Sequence, residues 1–270
     1  MDSSVDGVVS SMDGVSIHYR VEGDGAPALV FVHCWTCDSH FWDQQVAHFA
    51  KRHRVVTLDL AGHGQSGRNR EDWTMSAFGN DVRAVIEASE VDRIILIGHS
   101  MGGPVVLEAA RGVPERRLVG VIPVDSLHDL SEALDTSTID EQLQRFNRDY
   151  KAATARLVRE VLFLPSSDPT LVERVVRNAT SAPERIAISA LRNAWAYDAR
   201  QVAGELGAPI RAINTDRFPT NLKANRHLCR DYAVVIMEGL GHYPMLEDPE
   251  GFNQALEGVL RKLELRTNGG

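Results

Sequence analysis

Between Val15 and Val21 apolar and polar residues alternate (Val15, Ile17, Tyr19, Val21), the period of a half-exposed strand. Ala28 to Val32 is instead continuously apolar, as expected of a central strand covered on both faces. Phe41 to Phe49 reads as a helix, Arg54 to Leu58 as a strand, and Thr74 to Ser89 as a helix with Ala77, Asp81, Ala84, Val85 and Ala88 at helical spacing. A strand at Ile94 to Ile97, a helix from Met101 to Arg111 and a strand at Leu118 to Val124 continue the rhythm. Residues 1–11 are a polar leader that could add an edge strand, and 267–270 read as a frayed end.

Strands alternating with helices at this spacing predict an α/β fold: a mostly parallel, twisted sheet with helices on both faces. The rhythm breaks between Ser126 and Glu205, where helix-like segments (near 131–148, 151–163, 168–180 and 183–199) are punctuated by Pro165, Pro169 and Pro183. An all-helical insertion here reads as a lid, which divides the chain into a core of 1–125 and 206–270 and a cap of 126–205. Beyond it come a strand at Pro209 to Asn214, a helix near 220–229, a strand at Ala233 to Met237 and a terminal helix near 249–265.

The chain's 270 residues are enough to bury a large core, and 43% hydrophobic with 24% charged residues fits an ordinary globular protein. A net charge of −8, with scattered basic residues, argues against nucleic-acid or anionic-membrane partners. The acidic first thirty residues suggest no signal peptide, and no apolar run approaches a membrane span, so a cytoplasmic location is expected. Three cysteines, Cys34, Cys37 and Cys229, suit a reducing compartment. Cys34 and Cys37 form C-x-x-C, but no second ligand pair follows, and neither a metal site nor a redox centre is the preferred reading.

The candidate chemistry centres on Gly98-His99-Ser100-Met101-Gly102. A short apolar strand ends in a serine flanked by glycines, with helix-like sequence after it: G-x-S-x-G in the context of a strand–turn–helix elbow. A serine hydroxyl needs a base, and the base needs an orienting carboxylate. Gly241-His242 follows the last strand and places His242 at the sheet edge where open α/β sheets hold their sites. Asp216, just beyond the strand ending at Asn214, is preferred as the acid; Asp125, at the end of the strand 118–124, is the alternative.

These features resemble the α/β-hydrolase superfamily, most of all its lidded serine-esterase branch, over essentially the whole chain. The matching features are His33-Cys34-Trp35 after a strand, Asp59 to Gly67 as a D-x-x-G-x-G-x-S loop, the elbow, and Gly241-His242. The resemblance implies acyl transfer to water, with Ser100 as nucleophile, His242 as base and Asp216 (or Asp125) as acid. It also implies an oxyanion hole made by the backbone N–H groups of Trp35 and Met101. Cys34 stands where the family usually has glycine, which puts a thiol beside that hole. The lid aromatics Phe146, Tyr150, Phe163, Trp195 and Tyr197, together with Cys34, are expected to line the substrate pocket. No cofactor or metal is implied; the partner is a small ester or lactone. Ser100 argues against dehalogenase and epoxide-hydrolase chemistry, which use an aspartate at the elbow. Carbon–carbon-bond hydrolysis, cofactor-free perhydrolysis and a receptor role on the same scaffold stay open.

Overall fold

The structure is a computed structural model describing residues 4–267. Eight strands form one sheet: β1 (Val5–Ser10), β2 (Ser16–Glu22), β3 (Ala28–Val32), β4 (Val55–Leu58), β5 (Ile94–His99), β6 (Leu118–Val124), β7 (Ile210–Thr215) and β8 (Tyr232–Met237). Their spatial order is β1-β2-β4-β3-β5-β6-β7-β8. β1 and β2 pair antiparallel, as do β2 and β4, and every other neighbouring pair is parallel. The leader does supply an edge strand, β1. The frayed end lies, from residue 268 on, outside the described residues.

Outside the insertion, the helices are α1 (Asp43–Phe49), α2 (Met75–Ala88) and α3 (Gly102–Arg111). After α4 (Thr136–Arg148), α5 (Tyr150–Arg156), α6 (Pro169–Ser181), α7 (Glu184–Trp195) and α8 (Arg200–Glu205) come α9 (Leu222–Leu228), α10 (Pro244–Glu247) and α11 (Pro249–Thr267). The alternation along buried strands sorts side chains to the two faces of the sheet. Leu29, Phe31, Ile95 and Ile97 pack with Phe49 of α1 and Leu256 and Leu260 of α11. Val30, Val32, Ile94 and Leu96 pack with Val82 and Val85 of α2 and Val106 of α3. Each such side chain contributes about 1.5–3 kcal/mol by leaving water, and β3 and β5 are buried along their whole length.

Between β6 and β7 the chain is helical, without a strand among the described residues. Aspartates set the starts: Asp135, Asp149 and Asp168 accept hydrogen bonds from Thr138 N, Ala152 N and Thr170 N. The predicted helix near 131–148 therefore begins only at Thr136. The predicted helix 151–163 is α-helical to Arg156 and then widens into a π-turn over Leu157–Leu162.

Candidate active site

In this strand order the direction in which successive strands are added reverses at β3, because β4 lies on one side of β3 and β5, parallel to it, on the other. That is the switch point where open α/β sheets form a crevice at the strands' carboxyl ends. The loop carrying Cys34 and Trp35 leaves β3 there, and Ser100 follows β5 directly beside it. Ser100 has φ +53°, a left-handed conformation that costs energy for any residue with a Cβ. The turn is closed by Ser100 N donating to Val124 O and Gly103 N donating to Ser100 O. A Cβ on Gly98 would lie 2.1 Å from Gly102 O, and one on Gly102 would lie 2.7 Å from Val32 O. The glycines are thus required by the close approach of strand and helix.

Ser100, Met101, Trp35, Asp125 and His242 all line one cavity of about 460 Å³. Met101 precedes the first turn of α3, so its amide sits at a positive helix end. The Trp35 loop is fastened on several sides. Its indole N–H donates to Ala187 O of α7 (2.7 Å), and its ring meets Phe146 and Tyr150 edge-on. His33 Nε2 accepts from Leu60 N, so its Nδ1–H donates to Cys34 O.

His242 is held through its backbone and its ring. Its N–H donates to Leu162 O (2.7 Å), one of the carbonyls the π-turn leaves without a helical partner. Its carbonyl accepts from His99 Nε2 (2.7 Å). The ring Nδ1 lies 2.6 Å from Asp125 Oδ2. With the proton on Nδ1, shared with that carboxylate, Nε2 carries a lone pair and is able to act as base.

Asp125 corrects the sequence reading. The expected acid, Asp216, is exposed, and its Oδ1 accepts from Gly239 N (2.9 Å), which closes the turn after β8. It makes no hydrogen bond to His242. Asp125 is 1% exposed and accepts from Thr215 N (2.8 Å), Thr215 Oγ1 (3.0 Å), His128 Nε2 (3.2 Å) and His242 Nδ1 (2.6 Å). Burial pushes its carboxyl upward. Hydrogen bonds from His128 and His242, and the charge of those rings, outweigh this and hold it well below the usual carboxylate range. The physical reason for the correction is strand order. His242 enters from β8 and reaches back across β7 toward Ser100, which brings it over the end of β6.

The expected pocket residues divide. Cys34 and Trp195 line the cavity. Phe146 is fully buried behind Trp35 and Trp195, and Tyr150 donates to Ala179 O. Phe163 stacks on Tyr243 at 5.1 Å, and Tyr197 donates to Glu108 Oε1 (2.9 Å). None of these four lines the cavity; they are packing residues of the helical insertion. The apolar walls come instead from Leu157, Val161, Leu191 and Phe218, with His128, Gln142 and Arg145 as polar members. Cys34 carries no thiol either, because its sulfur is bonded to Cys37 across the tight turn 34–37. Free Cys229 lies elsewhere, and burial pushes its thiol up to about 11. Among the described residues no group of three or more His, Cys, Asp or Glu side chains is placed to hold a metal ion. No helix among them is long and apolar enough to cross a membrane.

Sequence reasoning missed His99 and His128. His99, inside the elbow motif, is fully buried. Burial, with the neighbouring His242 ring adding to it, pushes it down to about 3. Burial and the charge of His33 do the same to His63, also to about 3. Both titrate near pH 6.5 when unfolded. Between about pH 3 and 6.5 the unfolded chain therefore binds more protons than the native one, and native stability is lost as pH falls through that window. Urea unfolding is expected to show a stability loss of up to about 1.4 kcal/mol per pH unit from each group below pH 6.5. His63→Gln should make that slope shallower; an unchanged slope would contradict the assignment.

Comparison with known proteins gives three kinds of match. The family model described as "Alpha/beta hydrolase family" matches residues 29–255. An uncharacterised protein of Mycobacterium tuberculosis (strain ATCC 25618 / H37Rv) is 34% identical, the match covering 88% of this chain and 76% of that one. The 3-oxoadipate enol-lactonase 2 of Acinetobacter baylyi is 24% identical over 92% of this chain and 94% of its own. Among solved structures, a thermophilic esterase from Thermogutta terrifontis superimposes with TM-score 0.83 at 22% identity, covering 96% of this chain and 99% of that one.

Proposed function

The chain belongs to the alpha/beta hydrolase family, and on that premise we propose that it hydrolyses a small carboxylic ester or lactone through an acyl intermediate on Ser100. The observation that carries this reading is the 2.6 Å contact between His242 Nδ1 and the buried Asp125 carboxylate, at the wall of the cavity that Ser100 also lines. Ser100 Oγ attacks the substrate carbonyl while His242 Nε2 takes its proton. The carbonyl oxygen becomes an oxyanion, held by the N–H groups of Met101 and Trp35, and each such donor is worth about 2.7–4 kcal/mol in the transition state. Asp125 stabilises the imidazolium formed. Collapse of the tetrahedral species breaks the ester C–O bond, and His242 returns the proton to the leaving alkoxide. Water, deprotonated by His242, then attacks the acyl-Ser100 carbonyl; the second collapse releases the acid and restores the hydroxyl.

The apolar walls from the helical insertion favour an uncharged acyl or alkyl portion, and the cavity size suits a small substrate. In this reading α4, α7 and the π-turn act as the lid. Likeness to an enol-lactonase and an esterase supports the ester or lactone class.

Diethyl 4-nitrophenyl phosphate tests the nucleophile directly. Its phosphoryl group should end on Ser100, with release of one equivalent of 4-nitrophenolate and loss of esterase activity in step. Ester turnover that survives with Ser100 unmodified, or an adduct on another residue, would overturn the proposal.

A further inference from the structure

The carboxylate that contacts His242 has a second imidazole on it. His128, three residues beyond Asp125 on the same loop, places Nε2 3.2 Å from Asp125 Oδ1, while His242 Nδ1 occupies Oδ2 at 2.6 Å. The His128 side chain is 19% exposed and lines the cavity that holds Ser100. Its place is fixed rather than incidental. Its carbonyl accepts from Asn221 N (2.8 Å) and from Asn225 Nδ2 (3.1 Å), and its ring meets Phe218 edge-on at 5.7 Å. Phe218 meets the His242 ring in the same way at 6.2 Å. One phenyl ring thus packs against both imidazoles, and one carboxylate accepts from both.

We propose that His128 is a positioning residue that competes with His242 for a proton through their shared Asp125 carboxylate, and so keeps His242 available as base in mildly acidic solution. This rests on the reading of Asp125 and His242 as partners in the hydrolase proposed above. A proton on either ring makes an ion pair with Asp125. A second proton would set two cations against one carboxylate in a buried site, which is unfavourable. Protonation of one ring therefore opposes protonation of the other. Molecules protonated on His128 keep a neutral His242 and remain competent, though with Asp125 divided between two partners. Activity then declines gradually with acidification, where a lone His–Asp pair would lose it steeply and at higher pH.

Against the His242 ring itself lie His99 (4.8 Å), which burial pushes down to about 3 and so keeps neutral in mildly acidic solution, and Tyr243 (5.3 Å), whose hydroxyl burial pushes up. Asp129, next along the loop, is taken up by Ser131 and Asn221. Arg217, after β7, lies over Phe218 and donates to the carbonyls of Val161 and Glu160; Asp216 beside it binds Gly239 N. Arg145 of α4 lines the same cavity, and its guanidinium lies over Phe146. Lys223, Arg226 and His227 are carried on α9, whose Asn225 holds the loop. Among the described residues Asp125 is the one carboxylate in ion-pair contact with His128.

The test is an NMR titration of the histidine Cε1–H resonances in the full chain, assigned with His128→Gln and His242→Gln. Removing His128 should raise the His242 titration midpoint by about half a pH unit or more. Removing His242 should raise the His128 midpoint in turn, because the repulsion between the two protonated rings acts on both. The kcat/KM profile of His128→Gln should show a steeper acidic limb displaced the same way; His128→Asn serves if the glutamine variant does not fold. A purely structural role for His128 moves neither midpoint, and curves that coincide with wild type overturn the proposal. The titration needs no turnover, so the two readings fail separately. A reciprocal shift in a protein that cleaves no ester would count against the hydrolase assignment alone. Coincident curves in an active esterase would count against the His128 assignment alone.

Discussion

Asp125→Asn should lower kcat for a short 4-nitrophenyl ester by about 10⁴-fold, while Asp216→Asn should change it less than about threefold. The hydrogen bonds around position 125 make the first expectation specific. Thr215 N and Thr215 Oγ1 both bond the Oδ1 side of the carboxylate, and a backbone N–H can only donate. An asparagine would keep its oxygen there and turn its NH₂ group into the place of Oδ2, facing His242. The imidazole would then have to present a lone pair at Nδ1 and carry its proton on Nε2. That is the wrong tautomer for taking a proton from Ser100, although nothing in the site need move. Asp216 offers its oxygen to Gly239 N, and an asparagine oxygen can accept that bond equally well. Steady-state kinetics on both variants decides the matter, and a severe loss in Asp216→Asn with Asp125→Asn near wild type would reverse the assignment.

Ser100→Ala should reduce kcat by about 10⁶-fold and leave an intact fold. Alanine keeps the Cβ and inherits the same φ of +53°, so the strain of the elbow is retained rather than relieved. The hydroxyl is the group whose loss removes the covalent route. A residual rate above that in water is expected from substrate binding and from the oxyanion donors proposed at Met101 and Trp35. Measuring turnover and urea unfolding on the same preparation separates loss of chemistry from loss of fold. A variant with wild-type stability and turnover within about tenfold of wild type would exclude Ser100 as the nucleophile.

The elbow, the sheet and the histidine loop were legible in the sequence because each rests on neighbours in the chain. Gly98 is demanded by its approach to Gly102 O inside the turn, and the two faces of β3 and β5 follow from the pleat; Gly102 is demanded by the carbonyls of Val32 and His33 on the neighbouring strand and its loop, which the turn alone does not show. The helix starts were less legible: Asp135 caps the first helix of the insertion so that it begins at Thr136, a turn later than the pattern near 131 suggests. The π-turn at Leu157–Leu162 had no signal in composition, although it supplies the carbonyl that holds His242 N. The aromatics of the insertion were visible but not their directions. Trp195 faces the cavity while Phe146, on a neighbouring helix, is buried behind it.

By itself the sequence determined an α/β sheet whose strained strand–turn–helix exposes Ser100, with a histidine arriving at the same edge after the last strand. Those features follow from backbone sterics and from periodicity, which act over a few residues. Only the tertiary structure decided which aspartate meets His242, which side chains wall the cavity, and that Cys34 is joined to Cys37. Asp125 and Asp216 are equivalent in sequence, each closing a strand at the catalytic edge. They differ in what the fold brings to them: Asp125 is buried with the His242 ring on it, Asp216 is exposed and bound to Gly239 N, and that outcome is set by the packing of strands far apart in the chain.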